Sequence, residues 1–288
     1  MSSSKDNPAE KSALMRRKAQ IQSTFLWIFV AIAGGSFLLI FYQVVTTQTN
    51  TASQASQSLA LNRLTNSLTL ITTSPQTNQT LNPLPETANV TCPAQIADQH
   101  QIQLGEDGAR QTLPQKPVFT PPELPPVPIT VISAPHNAPV TAANPVFVIP
   151  EDTEVPFHPT LIERLPDALI PFTSPDGTQP RNFYGQTTID GDTHNYYGAT
   201  ELFGILLSDN TGLATCSQQK LTDEVNTFHE AIRITAQRLN DSQPPLCDQS
   251  YTAIYQALQT LDKQNIQTYT SKLNVVNTQN TALVRNSC

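Results

Sequence analysis

With 288 residues, only 14% of them charged, and 24 prolines, the chain has room for an anchor plus one domain of about 200 residues or two smaller ones. Its net charge of −7 is split: residues 1–20 hold five Lys or Arg against two Asp or Glu, so everything after them sums to −10. Nucleic acid is therefore not an expected partner, because phosphate binding needs clustered Lys and Arg.

The stretch from Phe25 to Val45 carries no charge and is apolar on every face, which a soluble core helix rarely is. About 20 residues rising 1.5 Å each cover a hydrocarbon core of roughly 30 Å, so residues 21–45 are expected to form one transmembrane helix in the lipid bilayer. Lys11, Arg16, Arg17 and Lys18 precede it, and the next basic residue is Arg63. That asymmetry assigns residues 1–20 to the cytoplasm and the rest to the outside of a plasma membrane. Trp27 and Tyr42 stand near the two ends, where amphipathic rings favour the headgroup level. A cleaved secretory signal fits less well, since the small-residue triplet Ala31-Ile-Ala33 falls mid-span and the apolar run continues to Phe41. Arg16-Arg17-Lys18-Ala19 followed by Gln20-Ile21-Gln22-Ser23 resembles the processing site of archaeal type IV pilin-like proteins, without the acidic residue many pilins carry early in the mature helix. The resemblance implies cleavage before Gln20 by a prepilin peptidase.

Beyond the span, Leu61, Leu64, Leu68 and Ile71 recur at spacings of three and four. They predict an amphipathic helical stalk over 46–75, with Thr46 to Asn50 as its poorest helix formers. Ser74-Pro75 ends it, and 76–91, with Pro83 and Pro85, reads as a Pro/Thr-rich linker. Residues 92–215 are expected to be a small α/β domain with buried strands at Ile129–Ile132, Val146–Ile149 and Ala168–Ile170. A short helix at Pro159–Leu165 joins the last two in a parallel βαβ crossover. The pairs Pro121-Pro122 and Pro125-Pro126 are assigned to an extended connector before the first strand. Asp190-Gly191 marks a hairpin turn flanked by Tyr184, Tyr196 and Tyr197, and Ala199–Leu207 is an apolar helix broken at Ser208–Gly212. Three helical stripes then follow in 216–288: Leu221 to Leu239, Ile254 to Leu261, and Ile266 to Leu283. The expected fold is thus an α/β or α+β ectodomain ending in an antiparallel three-helix hairpin, preceded by one transmembrane helix.

All four cysteines lie beyond the apolar segment, as two disulfides in an oxidising compartment require, and no C-x2-C pair or neighbouring His supports zinc. Cys216 and Cys247 bracket a helix of roughly 22 residues, on the order of 33 Å long, so they do not meet. Sequence alone allows three connectivities; if the second helix returns and the third runs forward, Cys288 arrives near Cys247, and the expected pairs are Cys247 with Cys288 and Cys92 with Cys216. Asn78-Gln-Thr80, Asn89-Val-Thr91 and Asn240-Asp-Ser242 are glycosylation sequons for a secretory context.

Catalytic and cofactor signals are sparse. No two of His100, His136, His158, His194 and His229 stand three or four apart, and no nucleophile elbow, Walker loop or Rossmann glycine pattern occurs. The one constellation is Asp190-Gly-Asp192-Thr-His194, which offers three ligands to a cation, with Glu201 at the twelfth place of a calcium loop. Asn195 stands where such a loop needs its sixth-place glycine, so a polar hairpin turn is the preferred reading. Adjacent His229 and Glu230 do not face each other on a helix, and Ser208-Asp209 is too generic for a triad. Glu106-Asp107 reads as a surface turn. No catalytic residue or cofactor is expected.

The layout of basic residues and Gln20-Ile-Gln-Ser before one apolar helix, the strand Val146–Ile149 feeding a helix, Glu201-Leu-Phe-Gly-Ile-Leu-Leu-Ser-Asp209, then Cys216, Cys247 and Cys288 resembles single-pass membrane proteins of small-genome DPANN archaea. The resemblance implies an archaeal envelope location. The expected role is a non-enzymatic ectodomain engaging another envelope protein, a glycan or a neighbouring cell. A pilin-like subunit and an exported hydrolase are the alternatives.

Overall fold

The computed structural model describes residues 8–73, 77–93, 99–106, 108–114, 116–137, 141–177, 184–240, 245–260 and 266–285. These form six helices and several small sheets, a mixed α/β architecture, in two compact units, Met1–Ala55 and Ser56–Cys288.

One helix, α1 (Pro8–Thr73), contributes to both units. In the first, Trp27, Phe29, Ile32, Phe37, Leu38 and Phe41 are between 65% and 75% exposed. Among the described residues, this is the one helix long and apolar enough to cross a membrane. The threonines that follow do not break it. The Thr46, Thr47, Thr49 and Thr51 hydroxyls donate to carbonyls four residues back at 2.8–3.0 Å, so each polar group is satisfied within the helix.

Within the second unit α1 enters a core. Leu61, Leu64, Leu68 and Ile71 are buried with residues of two four-stranded sheets. One sheet has the order Asn78–Leu81, Ile129–Ser133, Val146–Pro150, Val118–Phe119, antiparallel except for its last pair. The other has the order Arg110–Thr112, Gln101–Leu104, Ala88–Thr91, Glu123–Leu124 and is antiparallel throughout. Val146-Phe-Val-Ile149 is apolar without alternation because both faces of this strand are covered. Val146 and Val148 join the cluster of α1, whereas Phe147 and Ile149 belong to a second core.

That second core draws on α2 (Pro159–Ile162), α3 (Ala199–Ser208) and the first turns of α4 (Thr211–Asn240). Phe147 stacks on Phe119 at 5.5 Å between centroids and meets Phe203 edge-on at 5.6 Å. The helix α4 packs on α5 (Pro245–Gln259), and α5 on α6 (Ile266–Arg285), around Ala236, Tyr251, Ile254, Val276 and Leu283. A disulfide between Cys92 and Cys216, with Cα atoms 6.3 Å apart, ties the second sheet to the second turn of α4.

Several expected elements differ. Residues 76–91 are not a plain linker, since they hold the strands Asn78–Leu81 and Ala88–Thr91. The first is an exposed edge strand and the second buries only Ala88 and Val90, so neither shows an apolar run. Ala168–Ile170 is not a strand but leads into a 3-10 turn, Ile170–Phe172. Pro166 and Pro171 lack the N–H groups that a ladder needs. The crossover is therefore not formed as expected: Val146–Pro150 runs antiparallel to Ile129–Ser133. The parallel pair flanking α2 is the short Val155–Pro156 with Thr173–Ser174. Glu123–Leu124, between the two proline pairs, is an edge strand against Ala88–Asn89 rather than a connector.

Candidate ligand cleft

The hairpin of Tyr184–Ile189 and Asp192–Tyr197 turns on Asp190 and Gly191, whose φ angles of 50° and 87° suit a two-residue left-handed turn. The Asp190 carboxylate accepts from the Thr211 amide at 3.4 Å, and Thr211 Oγ1 donates to the Ile189 carbonyl at 2.9 Å, so the turn is fastened to the start of α4. The strand Asp192–Tyr197, Glu201 of α3 and one face of α4 line a cleft of about 550 Å³. Its lining includes four threonines and the carboxylates of Asp192 and Glu201, and no Lys or Arg among the described residues.

Gln218 organises the cleft. Its Nε2 donates to the Asn195 carbonyl at 2.6 Å and to Glu201 Oε1 at 2.9 Å, and its Oε1 lies 2.9 Å from His194 Nδ1. Two acceptors on the nitrogen fix which way the amide points, so His194 Nδ1 carries the proton and Nε2 the lone pair. The other oxygen of Glu201 accepts from the Tyr197 amide at 3.0 Å and lies 4.0 Å from His136 Nε2. Tyr269 of α6 packs on Tyr197 with centroids 4.5 Å apart. Burial, with help from the nearby charge of Glu201 and from Tyr197, raises the Tyr269 phenol well above its ordinary range and keeps it neutral.

The candidate cation ligands Asp190, Asp192 and His194, set below a polar hairpin turn in the sequence reading, do not converge. Asp190 holds Thr211, Asp192 is exposed, and His194 is buried against Gln218. Among the described residues no three His, Cys, Asp or Glu side chains group as metal ligands do. Asp192 and His194 of the strand and Glu201 of α3 do line one cleft, where Gln218 joins His194 to Glu201. Gln218 and His136 were not legible as site residues, because they come from elements far apart in the chain and carry no motif.

A second polar cluster surrounds the disulfide. Ser217 Oγ donates to the Val118 carbonyl at 2.6 Å, so the 3.0 Å contact with His100 Nε2 must use the histidine proton. His100 Nδ1 then accepts from Lys220 at 3.3 Å. Burial, and secondarily the Lys220 charge, lowers the His100 pKa to about 3. This serine donates to the backbone instead of to a base, so the cluster fastens α4 to the sheets rather than activating a nucleophile.

Of the remaining predicted residues, Asn78 and Asn89 are exposed on their strands, and Asn240 closes α4 with its side chain outside the described residues. Cys247 is disulfide-bonded; Cys288, its expected partner, lies outside the described residues, as does Asp107. Glu230 pairs with Arg233, which also lies over the Tyr255 ring of α5, and not with His229. No family model, no curated protein and no solved structure matches the chain.

Proposed function

We propose that this chain is a membrane-anchored ectodomain of an archaeal cell envelope, non-enzymatic, that engages another envelope protein or a glycan outside the plasma membrane. The observation that carries the reading is α1. One unbroken helix holds an exposed apolar span and, from Leu61 to Ile71, a stripe buried in the core of a disulfide-bonded domain. The basic flank before the span orients the domain outward. We read α4–α6 as an antiparallel hairpin, supported by the Arg233 contact with Tyr255 and by the cluster that Cys247 shares with Leu283, near the end of α6. The same cluster supports pairing of Cys247 with Cys288.

Alkaline carbonate extraction of native membranes tests the anchor. The reading predicts that the protein stays in the pellet until detergent is added, with residues 1–19 still attached. Recovery in the carbonate supernatant would refute it.

A second reading, a pilin-like subunit cut before Gln20, has its own support. The helix is continuous from before Gln20 to Thr73, so processing there would leave an apolar helix start that other copies, rather than lipid, would cover. Mass spectrometry of the native amino terminus separates the two, since a start at Gln20 belongs to the subunit alone.

A further inference from the structure

We propose that the cleft between Asp192–Tyr197 and α4 binds a neutral carbohydrate, with His194 Nε2 accepting a hydrogen bond from a sugar hydroxyl; this rests on the reading of the chain as an outward-facing binding ectodomain. Gln218 holds the proton of the neutral imidazole on Nδ1, which makes Nε2 its acceptor. His194 is 6% exposed, and Nε2 is buried with no hydrogen-bond partner among the described residues. A buried acceptor left without a donor is costly, which calls for a ligand that brings one.

The rest of the lining selects which donor. Two carboxylates and no Lys or Arg among the described lining residues exclude phosphates and carboxylates. An organic ammonium fits poorly because Glu201 is 4% exposed, with Gln218 and Tyr197 each donating to one of its oxygens, so the carboxylate open to a cation is the exposed Asp192. Thr193, Thr215, Gln219 and Thr222 offer groups that both donate and accept, as sugar hydroxyls do. A cleft of about 550 Å³ lies within the roughly 300–1,000 Å³ usual for small-ligand sites.

Saturation-transfer NMR on the full chain in lipid nanodiscs, with glucose, galactose, mannose and N-acetylglucosamine as probes and choline as the cationic comparison, tests this. At least one sugar is expected to show saturable transfer, weakened roughly tenfold by His194→Ala, and choline none. Thr215→Val with Gln219→Leu, at exposed positions that leave the core intact, is expected to weaken the same sugar. Saturation by none of the sugars, binding of choline alone, or sugar binding indifferent to both variants would overturn the proposal. Nanodiscs expose the cleft whichever way the protein faces in cells, so failure here removes the sugar site and leaves the anchored-ectodomain reading to its own tests.

Discussion

His100 shows how a buried side chain couples the fold to pH. Its pKa is about 3 in the folded protein against 6.5 ordinarily, so between those values the unfolded chain takes up a proton that the folded chain refuses. Stability from this group is complete above about pH 6.5 and falls as pH drops toward 3, by up to a few kcal/mol. His100→Gln supplies an N–H for Ser217 and a carbonyl for Lys220 without titrating. Its melting temperature is expected to fall less than that of the wild type between about pH 7 and about pH 4; parallel falls would contradict the assignment. Gly204 gives a steric test, since a Cβ there would run into the Phe119 ring within the aromatic stack. Gly204→Ala gains about 1 kcal/mol in helix propensity yet is expected to lower the urea midpoint, because overpacking costs about 1–3 kcal/mol. At this scale the sequence announced little. His100, Ser217 and Lys220 meet only because the residue just before the strand Gln101–Leu104 lies against α4, 117 and 120 residues away in the chain.

Elements were legible where their signal is local. The stripe Leu61, Leu64, Leu68 and Ile71 and the turn at Asp190-Gly191 were readable because helical spacing and a left-handed turn are properties of a few neighbouring residues. Strand partners were not: Val146–Pro150 could be recognised as buried, but its antiparallel neighbour is set by packing across the domain. The polar strands at Asn78–Leu81 and Ala88–Thr91 stayed hidden because an edge or a half-buried strand needs few apolar residues. Burial of the stalk stripe predicts a contrast in α1. Leu68→Ala should cost about 2–5 kcal/mol in denaturant unfolding, whereas Leu70→Ala, 66% exposed, should be near neutral. Equal effects would mean that the stalk does not use this face.

Across the molecule, the Cys92–Cys216 bridge closes a sequence separation of 124 residues between the second sheet and α4. Replacing both cysteines by serine is expected to cost about 2–5 kcal/mol, read as a lower melting temperature, with no change in membrane association. The proposed anchor, outward domain and sugar cleft all rest on one proposed placement, with α1 crossing a membrane and the residues beyond it on the outer side. Proteinase added to intact cells, followed by immunoblotting with antibodies to the amino-terminal segment and to α6, measures that placement directly. The account predicts loss of the α6 epitope without lysis while the amino-terminal epitope survives; an α6 epitope that persists until the cells are broken would contradict it.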